Sequence, residues 1–129
     1  TPGQARAEWN KAAFGAKTVE ETLKALGAGT PANSADVQLT APDIAENGAV
    51  VPVGATSNLP NTTEIYLLVE KNPNALVAVF NVTPEVEANF ATRSKMGETS
   101  DVYAVAITAD GKAHYAKKEV KVTLGGCGG

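Results

Sequence analysis

The chain has 129 residues, of which 43% are hydrophobic and 19% charged, and its formal net charge is −3. This length and composition predict one globular domain with a hydrophobic core of its own. The small negative charge and the lack of a basic block argue against a nucleic-acid partner. No apolar run approaches the ~18 residues that a membrane-spanning helix needs, so we expect no membrane partner either.

The N-terminal residues 1–29 are predicted to form a helical segment that packs on the rest of the domain. Apolar side chains recur at helical spacing through residues 5–27. Thr18 and Glu21 have the spacing of a capping box, which starts a new helix, and Gly27 is typical of a helix end. We therefore expect two short helices in this segment.

From Ala35 onward the hydrophobic period changes from about 3.6 to two, which indicates strands. The turns between them carry Asn, Gly and Pro, and Asp110-Gly111 predicts a type I′ hairpin turn. About seven short strands with regular turns favour a mainly β fold, an antiparallel β-sandwich over residues 35–124. The predicted strands are 36–40, 49–56, 64–70, 75–81, 88–94, 102–109 and 113–124.

Two of these strands are apolar on both faces. Ile65, Leu67 and Val69 predict one inward face, yet the alternate residues of that strand are not polar, and the run Leu76–Phe80 has no polar face. Such strands need a cover on each side, which could be the N-terminal helices or a second protein chain. For a second chain, the candidate contact residues are Tyr66, Leu68, Val77 and Val79.

The chain ends in Gly-Gly-Cys-Gly-Gly, residues 125–129, which hold its single cysteine, Cys127. Glycine has no side chain to pack and no strong φ preference, so this tail is predicted to be a flexible arm. The thiol could reach on the order of 10 Å from Leu124. The glycines of the predicted arm are Gly125, Gly126, Gly128 and Gly129.

Little else in the sequence predicts chemistry. One His and one Cys cannot form a zinc site of the usual kind, and no metal site or cofactor is predicted. His114 is expected to be a solvated or half-buried strand residue. Cys127 has only glycines as close neighbours, so its thiol should keep a pKa near ~8.5 and depend on a partner for activation. The pattern favours a carrier of a covalently attached group, not an enzyme.

The terminal motif resembles that of SoxY, the sulfur-carrier family of the bacterial Sox thiosulfate-oxidation system. The resemblance extends to Ala13-Phe14-Gly15, to Leu23-Lys24-Ala25-Leu26 and to the segment Asp43–Val53. It implies an immunoglobulin-like sandwich and a covalent sulfur intermediate on Cys127. It also implies a heterodimer with SoxZ and transient contact with a Sox cytochrome, a hydrolase and a sulfane dehydrogenase. The implied location is the periplasm, and a chain that starts at Thr1 fits removal of an export signal.

Two other functions remain open at this point. A ubiquitin-like sulfur carrier would react through a terminal thiocarboxylate, which would make Gly129 the reactive residue instead of Cys127. Against it, seven strands suit a sandwich better than a β-grasp fold. A structural or adhesive β-sandwich would have no use for the tail.

Overall fold

The computed structural model describes residues 19–25, 31–73, 75–83, 85 and 87–123. They form one helix, α1 (Val19–Ala25), which has seven residues and is too short to cross a membrane. Nine strands follow: β1 (Ala32–Asn33), β2 (Val37–Thr40), β3 (Ile44–Ala45), β4 (Val51–Ser57), β5 (Thr62–Val69), β6 (Leu76–Asn81), β7 (Asn89–Ser94), β8 (Ser100–Thr108) and β9 (Ala113–Val122).

The strands form two sheets. The larger has the order β1-β9-β8-β5-β6, with β3 also paired to β9, and the smaller has the order β2-β4-β7. The seven longer strands pair antiparallel, as predicted. The two-residue strands β1 and β3 were not predicted, and both pair parallel to β9.

The main core lies between the two sheets. Ile65, Leu67 and Val69 of β5 all point into it, which confirms the predicted inward face. They meet Val51 and Val53 of the opposite sheet, and all five side chains are almost completely buried. The fold is therefore a mainly β structure in which two sheets enclose one apolar layer.

A second apolar cluster covers the outer face of the larger sheet. It contains Tyr66 and Leu68 of β5, together with Val105 of β8 and Val19 of α1. These four side chains are all buried within the chain. The described helix α1 thus contributes a side chain to the outer cover, one of the two possibilities that the two-sided apolar pattern left open. The remainder of the predicted segment 1–29 lies outside the described residues.

All seven predicted strands are present, with bounds that differ by at most two residues. A proline inside a strand is typical of an edge strand or a bulge, but β4, which contains Pro52, is the central strand of the smaller sheet. The pairing of β2 ends where Thr40 lies opposite Gly54, so β4 has only β7 as a neighbour at Pro52. Pro52 is therefore tolerated because the missing N–H falls beyond the end of β2.

The turn between β8 and β9 differs from the predicted type I′ turn. That type needs positive φ at both central residues, but of Asp110 and Gly111 only Gly111 has a positive φ, of 83°. The N–H of Gly111 donates to the Thr108 carbonyl oxygen at 2.8 Å. The N–H of Thr108 donates to the Lys112 carbonyl oxygen at 3.1 Å. This is the longer hairpin in which a tight turn is followed by one left-handed residue.

Candidate functional site

The predicted reactive residue, Cys127, and the arm glycines Gly125, Gly126, Gly128 and Gly129 lie outside the described residues. The structure does describe the point from which this arm leaves the body. The last strand, β9, ends at Val122, and Thr123 is the last described residue. The site is therefore built here from the residues that hold Thr123 in place.

Three backbone N–H groups at the end of β9 have partners on other segments. Lys121 donates to the Asp43 carbonyl oxygen at 3.0 Å, and Thr123 donates to the Ala45 carbonyl oxygen at 3.1 Å. Between them, Val122 donates to the hydroxyl oxygen of Thr99 at 3.0 Å. The base of the arm is thus joined to strand β3 on one side and to Thr99 on the other.

The loops at this end of the sandwich are also bonded to one another. The N–H of Met96 donates to the Gly48 carbonyl oxygen at 2.6 Å. The side-chain amide of Asn72 donates to the Lys95 carbonyl oxygen at 2.7 Å, and the N–H of Lys71 donates to the Ser100 hydroxyl oxygen at 3.0 Å. We call this part of the molecule, formed by residues 43–50, 70–72, 95–101 and 121–123, the arm end.

An acidic groove of about 610 Å³ opens at the arm end. Four of its lining residues are acidic, and one lysine, Lys71, stands 4.0 Å from one of them. Val122, at the end of β9, forms part of the same lining, so the groove starts beside the base of the arm. The four acidic residues are Glu70, Glu98, Asp101 and Glu119.

The charges near the groove shift the pKa values of neighbouring groups. Partial burial raises the pKa of the Tyr103 hydroxyl, and the negative charges of Glu70 and Asp101 raise it further. On the other side of β9, the Lys118 ammonium lies 2.8 Å from the Asp43 carboxylate. The hydrogen bond and the positive charge of Lys118 lower the pKa of Asp43.

The same lysine binds the β3 segment in a second way. The Lys118 ammonium donates to the Ala41 carbonyl oxygen at 2.7 Å, in addition to its contact with Asp43. Lys118 therefore links β9 to the chain immediately before β3.

The four residues suggested for partner contact do not lie on one face. Tyr66, Leu68 and Val79 belong to the outer cluster of the larger sheet. Val77 packs instead against the core between the sheets. The reason is a bulge: Leu67 pairs with Ala78 and Leu68 with Leu76, so Val77 is an extra residue in β6 and changes face.

Tyr66 and Leu68 are also 1% and 0% exposed within the chain itself. Side chains buried to this degree offer no surface to another protein. Val77 and Val79 are half-buried at the edge strand of the sheet. The placement therefore favours a role of Tyr66 and Leu68 in the stability of the chain.

The remaining candidate for chemistry, His114, is a half-buried residue of β9, as predicted. Its Nε2 lies 3.4 Å from the Thr108 hydroxyl. Within the described ranges no three His, Cys, Asp or Glu side chains are grouped so that they could hold a metal ion.

Sequence reasoning missed two features of the arm end. Strand β3 has only two residues, too few for a period to show, and Thr99 is an ordinary loop residue by its sequence context. Both act through pairing with a segment more than 20 residues away. The segment that contains β3 was noted only because it forms part of the resemblance to SoxY.

A family model for the sulfur oxidation protein SoxY matches residues 22–127, which include the whole sandwich and Cys127. The chain belongs to the SoxY family. This match confirms the resemblance drawn from the sequence. The same match includes both the described sandwich and Cys127.

Solved structures give the same result. The sulfur carrier protein SoxY from Chlorobium limicola f thiosulfatophilum is 35% identical to this SoxY-family chain, with a TM-score of 0.68. The match covers 78% of this chain and 93% of that chain. A comparison with curated protein sequences returned no match.

More distant structures share only the fold. A superoxide reductase (neelaredoxin) from Ignicoccus hospitalis has a TM-score of 0.59 at 16% identity, over 67% of this chain and 78% of that chain. A putative superoxide reductase from Thermotoga maritima has a TM-score of 0.57 at 13% identity, over 74% of this chain and 89% of that chain. At this identity the likeness concerns the sandwich and not its chemistry.

Proposed function

We propose that this SoxY-family chain is a sulfur carrier whose Cys127 holds the intermediates of thiosulfate oxidation. The observation that carries the proposal is the extent of the family match, which reaches residue 127 and so includes the only cysteine. The anchored position of Thr123 supports it, because four residue steps span at most about 14 Å from its Cα to the Cα of Cys127. Such an arm can present its cysteine without moving the body.

The chemistry requires a thiolate and an electron acceptor. The Cys127 thiol loses its proton, and its sulfur forms a bond to the outer sulfur of thiosulfate, giving a cysteine thiosulfonate. Two electrons leave in this step, and a haem cytochrome of the pathway accepts them. Water then cleaves the sulfur–sulfonate bond in a hydrolase, which releases sulfate and leaves a persulfide on Cys127.

We assign the catalysis to the partners and not to this chain. No cation is near Cys127 in sequence, so the fraction of thiolate at neutral pH should be a few per cent without help. The glycines on both sides of Cys127 have no side chains, so the chain segment that holds the cysteine is narrow. A thin segment of this kind suits entry into a narrow active site, where the partner lowers the thiol pKa.

The wider assignment follows the family. In this proposal the chain forms a heterodimer with SoxZ in the periplasm and meets a Sox cytochrome, the hydrolase and a sulfane dehydrogenase in turn. The two-sheet body is then an immunoglobulin-like sandwich. Co-purification with SoxZ and fractionation of the native cell would check partner and location independently of the chemistry on Cys127.

The central experiment is the intact mass of the protein isolated from its native cell, before and after reductant, with sequencing of the tail peptide. A sulfur adduct that reductant removes from Cys127 is the expected result. The Cys127→Ser variant should fold normally and carry nothing. An adduct on any other residue of that variant would overturn the proposal.

The same measurement separates the two rival functions. Added sulfur at the Gly129 carboxylate would identify a terminal thiocarboxylate and a ubiquitin-like mechanism. A free thiol that stays empty in the presence of thiosulfate and the oxidising partners would indicate a structural domain. The two-sheet body already disfavours the ubiquitin-like fold, which is built on one sheet.

A further inference from the structure

Two large hydrophobic side chains are exposed in the part of the chain that the structure describes. Ile44 is 55% exposed and Val50 is 48% exposed. Both lie on the short segment between β2 and β4, six residues apart. Single exposed apolar residues are ordinary, but two on one segment of the arm end need an explanation.

This segment is held directly against the base of the arm. Ile44 pairs with Lys121 in the parallel β3–β9 pair, and Ala45 pairs with Val122. Toward Val50, the Gly48 carbonyl oxygen accepts the N–H of Met96, and the Asn47 carbonyl oxygen accepts the N–H of Val50 at 3.3 Å. Ile44 and Val50 are therefore presented by a bonded backbone at a fixed place beside the arm.

The length of the arm limits where an enzyme can receive its cysteine. Cys127 is the fourth residue after Thr123, so its Cα stays within about 14 Å of the Cα of Thr123. An active site that admits Cys127 into a cleft must bring its entrance onto the arm end of the body. Among the described residues of the arm end, Ile44 and Val50 are the large exposed hydrophobic side chains that such an entrance could cover.

The acidic groove defines the other half of the contact. Glu98 and Glu119 are exposed at the groove, and Val122 connects it to the base of the arm. A partner surface that matches the arm end needs apolar side chains opposite Ile44 and Val50, and basic side chains opposite the groove. Basic groups at an entrance would also attract the anionic thiosulfonate that the arm carries.

We propose that Ile44 and Val50 form the docking surface for the enzymes that process the cargo on Cys127, and that the entrance of such an enzyme has an apolar rim flanked by basic side chains. This inference rests on the proposed carrier function. It assigns the contact to the arm end and not to the outer face of the larger sheet, where Tyr66 and Leu68 are buried.

The test uses the full chain as it is isolated, with SoxZ where the two co-purify, and the double variant Ile44→Ser/Val50→Ser. Cys127 is loaded chemically with tetrathionate, whose central disulfide the thiolate attacks to form the cysteine thiosulfonate and release thiosulfate. Intact mass confirms equal loading. Sulfate release by the purified hydrolase of the same pathway is then measured against carrier concentration.

We expect the double variant to raise the KM for the carrier about tenfold and to leave kcat within about twofold, because contact residues of an interface affect association more than chemistry. Pro60→Ser, an exposed change in the β4–β5 turn at the opposite end of the sandwich, is the control and should match the wild type. The KM of the wild type should also rise with salt, and rise less in Glu98→Gln/Glu119→Gln.

The outcomes are distinguishable. If the wild type loads and is turned over, and the double variant has the same kcat/KM as the wild type and Pro60→Ser, the docking surface is wrong and the carrier function stands. If the wild type itself cannot be loaded at Cys127, or the hydrolase releases no sulfate from it, the carrier function fails and the docking surface fails with it.

Discussion

The backbone N–H of Thr123 donates to the carbonyl oxygen of Ala45 at 3.1 Å, across 78 residues of sequence. This bond joins the last described residue to strand β3, whose two residues pair with Lys121 and Val122. The position of the arm therefore depends on a segment that comes before β4 in the chain. A carrier arm is useful to a partner only if its base has a defined place, and this pairing supplies one.

The first prediction concerns the hydroxyl that holds Val122. Thr99→Val removes the oxygen that accepts the Val122 N–H at 3.0 Å and leaves that N–H without this partner. We expect the free energy of unfolding to fall by about 1 kcal/mol. Amide hydrogen exchange at Val122 and Thr123 should become faster than in the wild type by about fivefold, the factor that about 1 kcal/mol corresponds to.

The matched control for Thr99→Val is Thr63→Val, which loses a hydroxyl bonded to the Ile107 carbonyl oxygen at 3.1 Å in the strand pair β5–β8. It should cost a similar free energy without a specific effect on exchange at Val122. Equal exchange rates at Val122 in the two variants would show that Thr99 does not hold the base of the arm.

The second prediction concerns the width of the arm. Gly126→Val and Gly128→Val should leave the stability of the body unchanged and slow turnover by the partner enzymes about tenfold or more, because a branched side chain beside Cys127 would hinder entry into a narrow cleft. Pro60→Ser, an exposed change at the opposite end of the sandwich, is the control and should leave turnover unchanged. Unchanged turnover of Gly126→Val and Gly128→Val with purified partners would show that side chains beside Cys127 do not hinder entry into the active site.

The third prediction separates the chain's own core from its surface. Leu68 is 0% exposed in the outer cluster, so Leu68→Ala should lower the free energy of unfolding by about 2–5 kcal/mol. Val50 is 48% exposed, and Val50→Ala should change the free energy of unfolding by less than about 0.5 kcal/mol. Chemical denaturation of both variants makes the comparison.

The result for Leu68 also bears on partner binding. If Leu68→Ala were as stable as Val50→Ala, the outer face of the larger sheet would be free to bind a second chain. If Leu68→Ala is strongly destabilised, a failure of this variant to bind a second chain would reflect unfolding and not the loss of a contact. Docking of the cargo-processing enzymes is a separate question, tested at the exposed residues Ile44 and Val50.

The fourth prediction is a pH dependence at β3. The pKa of Asp43 is lowered by the hydrogen bond and charge of Lys118, so Asp43 binds its proton less readily in the folded state. Its contribution to stability is therefore fully present above the unfolded pKa of about 3.9, and is lost as the pH falls through the lower folded pKa. The protection of the amides around Ile44 against hydrogen exchange, relative to their intrinsic rates, should fall in that acidic window.

Asp43→Asn is the control for this pH effect. It removes the titrating group, so the protection around Ile44 should no longer fall with pH in that window, while the protection of the remaining strands is unchanged. Asp110 also has a lowered pKa, through bonds from the Thr108 hydroxyl and the Lys112 N–H, and titrates in the same direction. Protection that falls equally in wild type and Asp43→Asn would assign the effect to Asp110 or other acids.

Local sequence patterns determined most of the strands. A period of two with turn residues between the runs located all seven long strands, because alternation depends only on which side chains of one strand face the core. The inward face of β5 was found in the same way. The terminal cysteine and its glycines also stand out without a structure, since their pattern depends only on adjacent residues.

The tertiary structure decided what depends on pairing between distant segments. The bulge that moves Val77 to the other face results from the register of β5 and β6, which no local pattern records. Strand β3 exists only because β9 supplies its partner, and Thr99 matters only because Val122 lies next to it. The exposure of Ile44 and Val50 beside the base of the arm follows from the same pairing, so the proposed docking surface could be seen only after the chain was folded.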